Sequence, residues 1–287
     1  MKRNTLGWAL ALAFCSLPAM AAPPSAAVAA AMEQAEASML VTGDVSIDAA
    51  GHVTGYTIDK RESVPEGVTG MIDQAVPRWA FEPVQKDGSP VPAKATMRLL
   101  VVAHKADETN YRIEIRSAAF QDATSPTPGA SVSKKRMYPP SFPAAAFEYG
   151  VTGTVYLRLK IDRSGHVADE LAEQVNLHRA GTPKQMNEWR DILSRSALTA
   201  AARWRFNPPT TGSAANRDYW DVTVPVNYRL EGVATTYGGW TPYIPGPHQD
   251  VPWADPEQSA RPDSRQALAE GVHLAGSGLR LLTPLGG

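Results

Sequence analysis

His52 and His166 recur at matching places in two similar runs, Ile47-Asp48-Ala49-Ala50-Gly51-His52-Val53 and Ile161-Asp162-Arg163-Ser164-Gly165-His166-Val167. Imidazole chemistry, as a metal ligand or a proton switch, is therefore the first to weigh. Neither histidine has a second ligand at a local metal-binding spacing, so each reads as a lone imidazole on a turn. Asp48 and Asp162 could serve as general bases or calcium ligands, but no EF-hand pattern follows them. Each instead stands at the first position of a four-residue turn whose fourth is Gly51 or Gly165, places where a type I turn favours Asp and Gly. Trp79 and Trp204 have rings that could stack on a ligand, yet both end helical apolar faces and read as core. Lys134-Lys135-Arg136 is too short a basic run for a nucleic-acid patch. The chain has no nucleophile elbow, His-Glu-x-x-His helix, phosphate loop or dinucleotide fingerprint. Its single cysteine excludes both a disulfide framework and a cysteine metal site. The expectation is a non-enzyme with no catalytic residue, no metal and no cofactor.

The elements that position these residues follow from period and punctuation. Val155, Leu157, Leu159 and Ile161 alternate with polar residues, the period-two pattern of a strand with one buried face, and Val41, Val45 and Ile47 repeat it with Gly43 in the place of Leu157. The Asp-x-x-Gly turns make hairpins whose second strands begin at Val53 and Val167. A helix follows in each half, the first with Val68, Ile72, Ala75, Val76 and Trp79 on one face, the second with Met186, Trp189, Leu193, Ala197, Ala200 and Trp204 on one face. Pro77 is expected to distort the last turn of the first helix. Arg78-Trp79-Ala80-Phe81-Glu82-Pro83 then matches Arg203-Trp204-Arg205-Phe206-Asn207-Pro208. A last strand carries Met97, Leu99 and Val101 in one half and Val222, Val224 and Val226 in the other. The second half is longer between its landmarks, and the polar stretch 176–187 is where the extra residues are expected.

These matches predict two tandem α-β-β-α-β domains of the α+β class, each an antiparallel sheet covered by helices, with short alanine-rich helices opening them at residues 27–37 and 142–147. The first domain is placed at 27–117, with an added strand over Tyr111-Arg112-Ile113-Glu114-Ile115-Arg116, and the second at 138–230. A linker rich in Ser, Thr, Ala and Pro is placed at 118–137. Residues 231–287 carry Pro242, Pro245, Pro247, Pro252, Pro256 and Pro262 with scattered aromatics (Trp240, Tyr243, Trp253), and are expected to be a mostly disordered tail with a helical turn near 264–270. Residues 1–21 read as a cleaved secretory signal: Lys2 and Arg3, an apolar stretch from Leu6 to Leu17 too short to span a bilayer, then Ala19-Met20-Ala21. That implies export, with the periplasm as the simplest destination. Twenty-eight Lys and Arg against 29 Asp and Glu leave no bulk positive charge for nucleic acid.

The run Phe142-Pro143-Ala144-Ala145 through Gly150-Val151-Thr152-Gly153-Thr154-Val155, then Ile161-Asp162 to Gly165, Trp204-Arg205-Phe206-Asn207-Pro208 and Val222-Thr223-Val224-Pro225-Val226, resembles the C-terminal domain of TonB-family energy transducers. The first half resembles a diverged copy that keeps the Asp-x-x-Gly turn and the Trp-x-Phe-x-Pro element but lacks the opening aromatic-Pro pair. The resemblance implies a periplasmic protein-binding role in transmembrane transport across the cell envelope, with an extended segment of an outer-membrane receptor or other envelope protein added to an exposed sheet edge. Edge strands suit this because they offer backbone donors and acceptors to a visiting strand. Pro225 cannot donate to a ladder and argues for an edge, so the candidate binding strand is Asp221, Val222, Thr223, Val224, Pro225, Val226, Asn227 and Tyr228. Family transducers are anchored in the inner membrane and carry a long proline-rich spacer; this chain is read as having neither, and so as an adaptor that does not transduce energy by itself. The alternative is an envelope protein that self-associates, as a homodimer, through its sheet edges. A hydrolase would require a nucleophile, base and oxyanion donors in mutual reach.

Overall fold

The structure, a computed structural model, describes residues 25–86, 88–107, 110–122, 129–230, 236–254, 271–274 and 278–285. The expected signal at 1–21 and the expected helical turn near 264–270 lie outside the described residues. Helix α1 (Ala26–Glu33) is followed by strands β1 (Glu36–Ile47) and β2 (Val53–Ile58), helix α2 (Glu66–Ala75), the small hairpin β3 (Val84–Lys86) and β4 (Ser89–Val91), and the long strands β5 (Ala93–Lys105) and β6 (Tyr111–Asp122). Then come β7 (Ser133–Arg136), α3 (Ala144–Glu148), β8 (Gly153–Asp162), β9 (Val167–Leu177), α4 (Pro183–Ala201), β10 (Arg205–Asn207) and β11 (Tyr219–Tyr228). The C-terminal segment adds β12 (Thr241–Tyr243) and β13 (His273–Leu274). The protein is mixed α+β, with antiparallel pairing throughout.

In the first sheet β1 runs beside β5 along its whole length, β5 beside β6, and β2 lies on the other side of β1. In the second sheet β8 is central, with β9 on one side and β11 on the other. The alternation expected of β8 holds, since Val155, Leu157, Leu159 and Ile161 are all fully buried. In β1, Val41, Val45 and Ile47 play the same part. Gly43 replaces a leucine there because the Thr57 carbonyl of β2 lies 1.9 Å from where a Cβ would sit.

Each sheet has a core under its helix. Val68, Ile72, Ala75, Val76 and Trp79 are buried, and Pro77 falls in a 3₁₀ turn, Val76–Arg78, that tightens the end of α2 because proline lacks the N–H an α-turn needs. Met186, Trp189, Leu193 and Ala197 are buried along α4. Thr182 and Gln185 form a capping box at its start, with Pro183 in the first turn.

Four expectations change. The extra length of the second half is not in a polar loop at 176–187: β9 has 11 residues against 6 in β2, and α4 has 19 against 10 in α2. The alanine-rich opening helix ends at Glu33 instead of running to residue 37, and it packs away from the sheet that follows it, with Ala31 buried in the core under α4. The span 118–137 is not simply a linker, since β6 continues to Asp122 and Lys134-Lys135-Arg136 lie in β7, paired with β10. The C-terminal segment, in its described residues, is ordered: Tyr243, Ile244, Leu274, Leu279 and Leu285 are buried. Composition overstated disorder there because a few apolar residues at separate points suffice when two finished sheets offer surfaces to cover them.

His178 follows β9. Burial, and secondarily the Arg229 charge, hold its imidazole below the ordinary 6.5. The unfolded chain then takes up the proton first as pH falls, so stability is retained above about pH 6.5 and declines below it. The urea midpoint is expected to drop between pH 7 and pH 5, and His178→Gln is expected to flatten that dependence.

Candidate strand-accepting edge

The two Asp-x-x-Gly turns place their residues by the same set of bonds. Asp48 Oδ1 accepts from the backbone N–H groups of Ala50 and His52, and Asp162 Oδ1 from those of Ser164 and His166, each at 2.9 Å. Gly51 and Gly165 have φ of 90° and 81°. Their carbonyls accept from the N–H of Phe81 (2.8 Å) and Phe206 (2.9 Å). The turn therefore docks the Trp-x-Phe-x-Pro segment in both halves. The His52 N–H holds the Asp48 carboxyl below its usual range; for Asp162, burial works the other way, and the Ser164 hydroxyl and backbone N–H groups outweigh it.

Ser164, His166 and Asp162 are mutually close, with Ser164 Oγ 2.6 Å from both His166 Nδ1 and Asp162 Oδ1. This is a capped turn: the Ser164 hydroxyl donates to Asp162, and Asp162 Oδ2 stands 4.0 Å from the ring nitrogen that an orienting carboxylate would hold. Among the described residues no three His, Cys, Asp or Glu side chains converge as a metal would require. Trp79 and Trp204 are core residues, 3% and 2% exposed, and Trp204 Nε1 donates to the Tyr138 carbonyl at 2.8 Å.

The predicted strand, Asp221 to Tyr228, lies within β11, paired through all ten residues with β8. Val222, Val224 and Val226 face the core, and the Tyr228 hydroxyl donates to the Leu193 carbonyl of α4 at 3.2 Å. Burial raises the pKa of that hydroxyl. On the other face Thr154 Oγ1 donates to Asn227 Oδ1 at 2.7 Å, and Thr223 and Pro225 are buried. Arg158 of β8 bridges the sheet. Its Nε donates to Asp221 Oδ1 at 3.0 Å, its Nη2 to Asp221 Oδ2, and its Nη1 to Glu173 Oε1 of β9 at 3.3 Å. His248 adds an Nε2 contact to Glu173 at 3.2 Å.

The residues that sequence reasoning missed are those of the C-terminal segment, which lies along sheet edges. Tyr237 Oη contacts the backbone of Thr42, and β12 pairs with the first residues of β1, beyond the end of β2. The Tyr243 hydroxyl donates to Glu36, which also receives Arg116 in a two-pronged ion pair. Ile244 exchanges backbone bonds with Leu177 at the end of β9, and Gln249 N–H donates to the Glu173 carbonyl at 2.8 Å. Then β13 pairs with β11, Leu274 opposite Val222 and His273 opposite Thr223. The alternation Val272-His273-Leu274 was the only signal for this, too short to read alone.

Fold and edge together define an antiparallel α+β scaffold whose C-terminal segment pairs with the strands β1 and β11. Among known proteins, 106 residues of the chain, 36% of it, are 39% identical to part of Protein TonB of Xanthomonas campestris pv. campestris, covering 40% of that protein. Protein tonB2 of Pseudomonas aeruginosa is 32% identical over 91 residues, 32% of this chain and 28% of that protein. The chain thus contains a TonB-like domain and spans less than half the length of the curated relatives it matches. No protein-family model and no solved structure matches it. Among the described residues no helix is long and apolar enough to cross a membrane.

Proposed function

We propose that the chain is a non-enzymatic periplasmic adaptor, exported by a cleaved signal at 1–21, that engages an extended segment of an outer-membrane receptor or another envelope protein by strand addition to β11, in connection with TonB-dependent transport. The observation that carries this reading is the place of β11: it lies between β8 and the two-residue strand β13 in a four-stranded sheet, and β13 covers only two of its ten residues. Backbone groups along such a margin are what an extended peptide recognises. The identity to two TonB proteins supports the same role. That the halves 27–117 and 138–230 are two copies of one unit is supported by the matching bonds of their Asp-x-x-Gly turns.

A photo-cross-linking residue in place of Asn227, which is half-buried on β11, tests the reading without disturbing the core. Extended peptides from envelope receptors are expected to cross-link there. Peptides that bind the chain yet cross-link to no position on β11 would remove the proposal. The alternative, self-association through edges, would use β6, the last strand of its sheet, with Tyr111 67% exposed. Sedimentation of a monomer at micromolar concentration excludes it.

A further inference from the structure

We propose that the C-terminal segment is a built-in competitor for the β11 edge, so that residues 272–274 act as a tethered pseudo-ligand and their pattern describes the peptide the edge accepts. This rests on the reading of β11 as a strand acceptor. Three observations carry it.

First, the segment occupies β11 in the way an added strand would, antiparallel and in register at Val222 and Thr223. Second, its side chains alternate to match the sheet. Val272 and Leu274 pack into the second core, Leu274 at 8% exposure, while His273 between them turns its Nδ1 to the Gln121 amide of β6 at 3.1 Å. A ligand for this edge is thus an extended peptide with apolar residues two apart and a polar residue between them.

Third, the occupied stretch is short and firmly anchored on both sides. Upstream, Trp253 accepts from the Tyr219 hydroxyl at 3.0 Å. Downstream, the Arg280 carbonyl accepts from Glu82 N–H at 2.9 Å, Leu282 N–H donates to the Ala80 carbonyl at 2.8 Å, Arg280 pairs with Glu82, and Leu279 and Leu285 enter the first core. Tethering keeps the local concentration of β13 high whatever the protein concentration, so a contact of two residues suffices to hold the edge. A free peptide that pairs along more of β11 makes the larger set of backbone bonds and displaces β13, while the anchors keep the segment attached. Affinity for such a peptide is reduced by the fraction of time the edge is covered.

The test uses the full mature chain and a fluorescent peptide with the sequence of residues 270–277, Glu-Gly-Val-His-Leu-Ala-Gly-Ser. Replacing Val272→Gly, His273→Ser and Leu274→Gly empties the edge and leaves both anchors intact. The expected result is binding about tenfold tighter to the triple variant than to the unaltered chain. Equal binding to both overturns the competitor while leaving β11 as an acceptor. Binding to neither overturns both readings. A second variant guards against a change in fold: Thr223→Cys with His273→Cys joins two residues that face each other. Oxidised, it is expected to lose peptide binding, and reduction is expected to restore it. Undiminished binding by the oxidised form would overturn the proposal.

Discussion

Arg158→Met is expected to cost about 3–5 kcal/mol of folding free energy, because it takes the guanidinium from the buried Glu173 carboxylate and from the half-buried Asp221. Arg158 is 3% exposed and Glu173 2%, so water cannot take over the missing interactions. The guanidinium reaches from β9 through β8 to β11, and so ties the candidate binding strand to its neighbours. Urea denaturation followed by tryptophan fluorescence measures the loss. Adding Asp221→Leu and Glu173→Leu to Arg158→Met is expected to recover most of it, since an apolar replacement of a whole buried ion network is often neutral or stabilising. A single variant that loses under 1 kcal/mol would show that the network contributes little.

Gly165→Ala is expected to cost about 3 kcal/mol or more, among the larger single-residue effects. Two causes add. The residue has φ of 81°, where an L side chain is strained, and an added Cβ would lie 2.1 Å from the Phe206 carbonyl oxygen. Backbone would have to move, and the bond from Phe206 N–H to the Gly165 carbonyl, which holds the Trp-x-Phe-x-Pro segment on the turn, would break with it. Gly51→Ala meets the same geometry, with the Phe81 carbonyl oxygen 2.0 Å from the new Cβ. Gly55→Ala is the control, because nothing lies within 4 Å of its Cβ and the expected change is within about 0.5 kcal/mol. Thermal unfolding of the three variants separates these outcomes. A harmless Gly165→Ala would mean that the turn does not constrain the segment it touches.

Which face β1, β8, α2 and α4 would bury was legible in the residues, because period-two and 3.6-residue patterns are local records of a buried side. Val155 to Ile161, the α2 and α4 faces, the Asp-x-x-Gly turns and the disturbance at Pro77 all follow from them. In β11 the spacing of Val222, Val224 and Val226 likewise marked the core side.

Local pattern could not say what would pair along the other side of β11. The Val272-His273-Leu274 strand, the Ile244 exchange with Leu177 and the burial of Leu279 and Leu285 arise from contacts between residues far apart in the chain, and no short window carries such information. The same holds for α1, whose alanines suit any close helix contact and which packs in the core under α4. By itself, then, the amino-acid order determined the long central strands, the two sheet-covering helices and their buried faces, since these depend on neighbours within a few residues. Only the tertiary structure decided which sheet edges the C-terminal segment occupies, because that choice is made among complete surfaces that exist only once both sheets have formed.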